Sequence, residues 1–239
     1  MSLILISGAN SQIGSYLAKM YEAEGRSLLL LYHNRQERLV ELRSSKIAVD
    51  LMDYEAVAGA LEAYIPKISG VIHCAAVRSE DHLALADTQP ETFRRVFEHN
   101  VYPAYNLLRL ILPALRERAY GRVVLFSSDV SINGLPKGSA YAAAKAAIAN
   151  LAKSAAQENA EFNVLINSIA PGPVETALEQ DYSEEYLKFR QSYFAKHIAG
   201  TATGKLVSKE EIKVLTDMLL SPLLMNLCGE EIVLNGGKK

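Results

Sequence analysis

Tyr141 and Lys145 are the two residues whose types and spacing point most directly to chemistry. They lie four residues apart in an alanine-rich, helix-favouring run, so we expect them to share one face of a helix, one turn apart. A phenol titrates near ~10, and a nearby ammonium stabilises the phenolate. The pair therefore predicts a tyrosine that acts as a general acid or base. The alternative is an ordinary solvated helix face.

Ser128 is the third candidate, thirteen residues before the tyrosine. It follows the apolar run Val123–Phe126, which predicts a strand that ends just before the serine. In an open α/β sheet, ligands bind at the carboxyl ends of the strands. Ser128 is therefore expected at a ligand-binding edge, and the alternative is a turn-forming serine.

The elements that must hold these residues form an alternating pattern of short apolar runs and longer helical segments. This pattern predicts an α/β fold, a doubly wound (Rossmann-type) seven-stranded parallel sheet with helices on both faces, in a single domain over residues 1–239. The predicted strands are 2–7, 27–33, 46–50, 69–76, 121–127, 162–169 and 230–235. The predicted helices are 12–24, 36–44, 53–64, 89–117, 139–160 and 208–220.

Local signals set several helix ends. The segments Thr88–Glu91 and Ser208–Glu211 match capping boxes, and Gly25 suits the end of the first helix. Pro103 and Pro113 fall inside the fourth predicted helix, where they predict a kink or a break.

Composition excludes several classes of function. The chain has 239 residues and a formal net charge of −2, without a block of Lys or Arg, which argues against nucleic acid or an anionic membrane as the partner. Cys74 and Cys228 lie far apart without metal-type spacing, so we expect neither a disulfide framework nor a metal site. No apolar stretch is long enough for a membrane span. We expect a soluble, cytoplasmic protein.

The first strand-to-helix turn is Ser7–Gly14, with the sequence SGANSQIG. Such a turn lets backbone N–H groups and the positive end of a helix approach a pyrophosphate. The turn therefore predicts a dinucleotide site, with an ordinary βα turn as the alternative.

Taken in order, these motifs resemble the short-chain dehydrogenase/reductase family, in the manner of its 3-oxoacyl-acyl-carrier-protein reductases. The resemblance covers nearly the whole chain. The family's T-G-x-x-x-G-x-G turn corresponds to Ser7–Gly14, and its catalytic serine, tyrosine and lysine to Ser128, Tyr141 and Lys145. Its active-site asparagine corresponds to Asn100, its P-G-x-x-x-T to Pro171–Thr176 and its closing G-G to Gly236–Gly237.

The resemblance implies an alcohol dehydrogenase or carbonyl reductase that transfers a hydride between a nicotinamide cofactor and a small-molecule substrate. Ser128 would polarise the substrate oxygen and Tyr141 would transfer the proton. Lys145 would keep the tyrosine acidic and bind the nicotinamide ribose, and Asn100 would position a water. The residues implied at the cofactor are Gly8, Asn10, Ser11, Gln12, Ile13, Gly14, Asn34, Arg35, Asp50, Leu51, Ala75, Ala76, Asn100, Tyr141, Lys145, Pro171, Gly172, Val174 and Thr176.

The end of the second strand governs the choice of cofactor. An acid there would bind the adenosine ribose hydroxyls of NAD and repel a 2′-phosphate, but this segment carries Asn34 and Arg35. With the Ser11 hydroxyl, these favour NADP(H), and NAD(H) is possible. Arg35 as a solvated loop residue is the alternative. Asp50 and Leu51 resemble the family's adenine-contacting pair, unless Asp50 caps the next helix.

The sequence departs from the family pattern at three places. Gln12 replaces the middle glycine of the turn, and His73–Ala76 replaces the family's N-N-A-G. Asp129 and Ser131 stand where small or apolar residues are more common, which suggests a polar patch near the substrate. His73 is interpreted as a satisfied core histidine and Cys74 as a small buried hydrophobe.

The segment after Thr176, about 177–206, corresponds to the family's substrate flap. It carries Tyr182, Tyr186, Phe189, Tyr193 and Phe194, and Glu184–Ala195 can form an amphipathic helix. The substrate itself stays open between carbonyl and alcohol compounds. A homotetramer or homodimer, packed through the helices with Asn100 and Ser139, is implied by the resemblance alone. The alternative functions are an NAD-dependent alcohol dehydrogenase and a non-catalytic dinucleotide-binding sensor.

Overall fold

The protein folds around a seven-stranded parallel sheet, as predicted. The structure is a computed structural model that describes residues 3–78, 83–176 and 184–238. The strand order is β3-β2-β1-β4-β5-β6-β7, and all pairs are parallel. The strands are β1 (Leu3–Ser7), β2 (Ser27–Tyr32), β3 (Ser45–Ala48), β4 (Ile68–His73), β5 (Gly121–Phe126), β6 (Val164–Pro171) and β7 (Glu231–Leu234).

The helices of the described residues cover both faces of this sheet. They are α1 (Gln12–Ala23), α2 (Tyr54–Leu61), α3 (Pro90–Glu117), α4 (Val130–Asn133), α5 (Ser139–Asn159), α6 (Glu184–Ala199) and α7 (Lys209–Leu220). The chain order along the sheet reverses between β1 and β4, which is the point where open α/β sheets bind ligands.

Two apolar clusters, one on each side of the sheet, hold the fold together. One joins α2, α3 and α5 to the sheet and the other joins α1 and α7 to it. β4, β5 and β6 are buried along their whole length, because strands covered on both faces need apolar residues at nearly every position. The three strands whose ends face the candidate site are therefore rigidly packed.

The segment predicted as a helix over 36–44 forms only a single 3-10 turn, Glu37–Leu39. The backbone N–H groups of Arg43 and Ser44 donate to the Glu22 carboxylate at distances down to 2.7 Å. Those N–H groups are thus satisfied from α1, and the chain leaves the turn without continuing a helix. The helix prediction was wrong here because this long-range partner is not visible in the local pattern.

Several predicted helix ends are confirmed and others are wrong. The Ser208–Glu211 capping box forms with bonds of 2.8 and 3.1 Å, and Gly25 follows α1 at φ +76°. The Thr88–Glu91 box does not form, because the Thr88 hydroxyl donates to the Ala84 carbonyl instead.

Pro103 and Pro113 do not break α3, which runs unbroken over Pro90–Glu117. Its buried face packs along α5 and the sheet, and this packing outweighs the loss of two backbone hydrogen bonds. In the part of the chain that the structure describes, no helix is long and apolar enough to cross a membrane.

Candidate active site

Lys145 lies at the centre of the candidate site. It is 4 % exposed, and its Nζ donates to the Phe126 carbonyl at 2.8 Å. Phe126 is the last residue of β5, and Ser128 follows two residues later. Helix α5 therefore holds a cation at the carboxyl end of β5, two residues before Ser128.

Tyr141 lies one turn before Lys145 on the same side of α5. The Lys145 Nζ is 5.6 Å from the centroid of the Tyr141 ring. This is within the range in which a cation and an aromatic ring attract each other. The predicted helix and the predicted pairing of the two side chains are both present.

Burial is the main influence on the Lys145 ammonium. It lowers the pKa of Lys145 to about 8. Burial also raises the pKa of the half-buried Cys74 to about 12, so the thiol stays protonated. At neutral pH the site therefore holds a cation and no thiolate.

Ser128 is half-buried and only loosely held. Its Oγ donates to the Pro171 carbonyl at 3.4 Å and accepts from the Val130 N–H at 3.5 Å, both at the limit for a hydrogen bond. A hydroxyl with such weak partners can turn toward another oxygen at small cost. Its position at the carboxyl end of β5 is the predicted one.

Asn100 lies on the buried side of α3. Its Nδ2 donates to the Val96 carbonyl at 2.7 Å, whereas its Oδ1 is buried without a hydrogen-bond partner among the described residues. A buried acceptor without a partner costs about 1–3 kcal/mol, so such groups usually bind water or a ligand. The free oxygen is consistent with the predicted water site.

The turn between β1 and α1 brings the backbone very close to its neighbours. Gly8 has φ +65°, and a Cβ there would lie 2.4 Å from the Ala75 nitrogen. A Cβ on Gly14 would lie 2.5 Å from the Gly8 carbonyl oxygen. Only glycine fits at either position, so the turn packs tightly against the end of β4 and onto the N-terminus of α1, which is the kind of helix end that binds phosphate.

The substitution of Gln12 for glycine does not disturb this turn. Gln12 is the first residue of α1, where helical backbone accepts any L side chain. Ser11 is the N-cap, and its Oγ accepts from the Gly14 N–H at 3.0 Å. Its O–H can still donate to an anion. Ile13 follows on α1 and packs against the core.

Sequence reasoning missed two charged residues beside this turn, Glu37 and Arg38. The Asn10 Nδ2 donates to a Glu37 carboxylate oxygen at 3.1 Å, and the Arg38 guanidinium donates to the Asn10 carbonyl at 3.1 Å. The Arg38 N–H also donates to Asn10 Oδ1 at 3.0 Å. The 3-10 turn places both residues beside Asn10 of the glycine turn. Because a helix was predicted over 36–44, the sequence did not predict this arrangement.

Hydrogen bonds from its own backbone N–H and from Asn10, together with Arg35 and Arg38, hold the pKa of Glu37 below its usual value. Asn34 and Arg35 are exposed just after β2. The part of the expected adenosine site that follows β2 therefore carries Arg35, Arg38 and the Glu37 carboxylate.

Asp50 and Leu51 lie just beyond the carboxyl end of β3. Asp50 Oδ1 accepts from the Met52 N–H at 2.9 Å, and Oδ2 lies 3.9 Å from His33 Nε2. The residue that caps α2 is Asp53, so the alternative of Asp50 as the cap is wrong. Leu51 is buried, and its carbonyl accepts from Asn106 at 2.9 Å.

The remaining predicted residues line the ends of β4 and β6. Ala75 and Ala76 follow β4, and the Ala75 backbone lies against Gly8. Pro171 ends β6, and the Gly172 N–H donates to the Leu234 carbonyl at 2.8 Å. Val174 pairs with Val207, and Thr176 is the last described residue before 184. Of the expected flap, residues 177–183, including Tyr182, lie outside the described residues.

His73, at the end of β4, is only partly the satisfied core histidine that we expected. Its Nδ1 is hydrogen bonded to the Ser7 hydroxyl at 2.7 Å, but its Nε2 is buried without a partner in the described chain. Burial, assisted by the charge of Lys145, lowers the pKa of His73 to about 3. The ring is therefore neutral in the folded protein.

This depressed pKa makes stability depend on pH. Below the unfolded value near ~6.5 the unfolded chain binds a proton that folded His73 rejects, so stability falls as the pH drops toward about 3. Chemical denaturation between pH 7 and 4 should show this fall, and a His73→Asn variant should show a shallower one. The exposed His33→Asn variant is the control. Equal slopes for His73→Asn and the wild type would contradict the assignment.

Comparisons with known proteins agree with this architecture. Residues 8–239 match the family model described as enoyl-(acyl carrier protein) reductase. The short-chain reductase protein NovJ of Streptomyces niveus is 26% identical over 99% of this chain and 94% of its own. The 3-oxoacyl-[acyl-carrier-protein] reductase FabG of Vibrio cholerae is 24% identical over 98% and 95%.

Solved structures share the fold. NAD+-bound xylitol dehydrogenase has a TM-score of 0.86 and 24% identity, covering 99% of this chain and 98% of its own. ElxO with NADP bound has a TM-score of 0.87 and 19% identity, covering 98% and 97%. These two neighbours bind different nicotinamide cofactors within one architecture. The family model, which matches nearly the whole chain, shows that this chain belongs to the short-chain dehydrogenase/reductase family of oxidoreductases.

Proposed function

We propose that this protein is an NADP(H)-dependent oxidoreductase that interconverts a small-molecule carbonyl compound and its alcohol, with Tyr141 as the general acid or base. The observation that carries the proposal is the buried Lys145 ammonium, 5.6 Å from the centroid of the Tyr141 ring and bonded to the last carbonyl of β5. A buried cation beside a phenol favours the phenolate form, which proton transfer requires.

The residues present fit a dinucleotide. Gly8 and Gly14 leave no room for a Cβ, because the turn packs tightly against Ala75 and onto itself, and this packing holds its backbone at the N-terminus of α1, where a pyrophosphate would bind. Lys145 would hold the nicotinamide ribose, and the segment Pro171–Thr176 would lie along the nicotinamide. When bound, the nicotinamide supplies or accepts the hydride.

The chain's own groups stabilise and then neutralise the negative charge that forms on the substrate oxygen during reduction. Ser128 donates a hydrogen bond to that oxygen, and Tyr141 donates the proton. Lys145 stabilises the phenolate that remains. Asn100 Oδ1, which has no partner among the described residues, would accept from a water that returns a proton toward Lys145.

Arg35 and Arg38 support the preference for NADP(H). Arg38 donates to the Asn10 carbonyl at the glycine turn, and both arginines lie close enough to Glu37 to lower the pKa of its carboxyl. Guanidinium groups are well suited to a phosphate.

Glu37 favours a second candidate, an NAD-dependent alcohol dehydrogenase. Its carboxylate is hydrogen bonded to Asn10 and could accept the adenosine ribose hydroxyls that a 2′-phosphate would replace. We prefer NADP(H) because Arg35 and Arg38 both lie near the Glu37 carboxylate, which Asn10 already binds.

Substitution of Arg38 tests this preference. Arg38→Ala should weaken NADPH binding about tenfold or more and change NADH binding much less, because a charge-assisted bond contributes about 1.5–3 kcal/mol. Glu37→Gln should tighten NADPH binding. Isothermal titration measures both. Arg43→Ala is the matched control, since Arg43 is exposed and its backbone is bonded to Glu22, at the end of α1 opposite to the turn. Loss of NADH rather than NADPH binding on changing Glu37 would favour the second candidate.

A substrate screen tests the reaction itself. The purified protein is mixed with NADPH and a panel of carbonyl compounds that includes 3-oxoacyl thioesters, sugars and small ketones, and oxidation is followed by the loss of nicotinamide absorbance. NADPH oxidation with at least one carbonyl class is expected. Tight cofactor binding without turnover on any carbonyl or alcohol would favour the non-catalytic sensor.

We also propose that helix α6 belongs to the flap over the substrate and that the protein is a homo-oligomer.

A further inference from the structure

A buried polar cluster lies directly behind Ser128, and the proposed chemistry does not use it. Asp129 is 1 % exposed, and its Oδ2 lies 3.4 Å from the Lys238 ammonium. His197, on α6, is 5 % exposed, and neither ring nitrogen has a hydrogen-bond partner in the described residues. Burial lowers the pKa of His197, the Asp129 charge opposes this and the Lys238 charge adds to it, so both charges act on the His197 ring. We call these three side chains the Asp129 cluster.

Asp129 and Ser131, from which the sequence predicts a polar patch near the substrate, both have partners within the protein. The Asp129 side chain is buried beside Lys238, and the Ser131 hydroxyl lies 2.6 Å from the Ser128 carbonyl and 2.7 Å from a Glu231 carboxylate oxygen. Sequence alone shows an acid after the serine but not the side to which it points.

Each member of the cluster comes from a different functional segment. Asp129 belongs to the turn of residues 127–129 between β5 and α4, here called the serine turn, where its N–H donates to the Pro171 carbonyl at 3.0 Å. His197 belongs to α6 and packs over Gly172, since a Cβ on that glycine would lie 3.1 Å from His197 Cε1. Lys238 belongs to the C-terminal tail. The cluster therefore joins the serine turn, the C-terminal tail and helix α6, and His197 packs it against Gly172.

The C-terminal tail is itself fixed on two sides. Thr201, just after α6, pairs with Lys238 in an antiparallel bridge, and the Thr203 N–H donates to the Gly236 carbonyl at 3.1 Å. At the other end Leu234, in β7, accepts from Gly172. A movement of α6 would therefore be transmitted to Lys238, and from Lys238 to Asp129.

The connection between the tail and the serine turn is an ion pair. Lys238 is the cation paired with Asp129 within the described part of the chain. A buried carboxylate that loses its partner is strongly destabilised, so the serine turn would have to rearrange. The ion pair thus couples the turn that carries Ser128 to the position of the tail.

We propose that Asp129, His197 and Lys238 are positioning residues, which fix the Ser128 turn and seat helix α6 against Gly172. This inference rests on the proposed function only in taking Ser128 as the residue that binds the substrate oxygen.

The first test does not depend on turnover. Backbone hydrogen exchange of residues 184–199 is measured by mass spectrometry in the wild type and in Asp129→Asn and Lys238→Met. Both variants should exchange about tenfold faster in this segment, with α1 unchanged, because local opening follows lost contacts. Lys238→Arg, which keeps a cation next to Asp129, should exchange at the wild-type rate. Lys19→Met, exposed on α1, and Asp87→Asn, also exposed, are the matched controls. Wild-type exchange in both cluster variants would overturn the proposal.

The second test uses the substrate found by the screen. Asp129→Asn and Lys238→Met should lower kcat about tenfold with little change in NADPH affinity, and the double variant should be no worse than either single one, because both remove the same interaction. Additive losses, or losses confined to cofactor binding, would contradict the positioning role. If no substrate is found, the proposed function fails while the exchange result still decides this inference.

Discussion

A Tyr141→Phe variant should have a turnover number about 10²–10⁴-fold lower than the wild type while still binding NADPH, because general acid–base catalysis contributes a rate factor of that size. The change removes one hydroxyl and leaves the ring that lies 5.6 Å from Lys145. The cation–ring contact and the helix are therefore kept. Turnover at saturating substrate and the NADPH dissociation constant are the two measurements.

The matched control for this prediction is Tyr102→Phe, since Tyr102 lies on α3 and is 47% exposed. It should retain full activity. If Tyr141→Phe kept wild-type turnover, Tyr141 would not transfer the proton. If it lost NADPH binding as well, the loss of turnover could not be assigned to the proton step, and a single-turnover experiment at saturating NADPH would be needed to separate the two.

Substitution of Lys145 by Met should also remove most turnover, for a different reason. The variant keeps a long apolar side chain but loses the cation that stabilises the phenolate, and we expect a loss of about 100-fold or more. Its thermal midpoint should not fall, because the buried ammonium is disfavoured in the folded protein, as its lowered pKa shows.

The pH dependence of Lys145 gives an independent check. In the wild type, kcat/KM should fall as the pH rises through about 8, where the ammonium of the free enzyme loses its proton. Between about 8 and the unfolded value of 10.5, stability should rise with pH, because the unfolded chain binds the proton that the folded chain releases. In Lys145→Met that rise should be absent. Lys153→Met, exposed on the same helix, is the control, and a Lys145→Met variant with wild-type turnover would contradict the role.

The sequence predicted those features that depend on local periodicity. An alanine-rich helix places Tyr141 and Lys145 one turn apart whatever surrounds it, and buried apolar runs such as β5 predict strands in a parallel sheet. The edge at which Ser128 lies follows from these two facts. The seven strands and their parallel arrangement were therefore predictable, with boundaries off by a few residues.

Features that depend on distant partners were not predictable. Glu22 satisfies the backbone at Arg43 and Ser44, and so replaces the expected helix with a short turn that returns Glu37 and Arg38 to Asn10. The inward orientation of Asp129 depends on Lys238, which is 109 residues away in the chain. Neither contact leaves a periodic signal in the sequence.

Cofactor binding tests the central claim most directly. The thermal midpoint of the wild-type protein is measured with NADPH and with NADH at equal concentrations. A ligand at about a hundred times its dissociation constant adds roughly 2.7 kcal/mol to stability, enough to raise the midpoint by several degrees. We predict a larger rise with NADPH than with NADH. A larger rise with NADH would contradict the cofactor preference, and no rise with either would contradict the account of the site as a dinucleotide-dependent active centre.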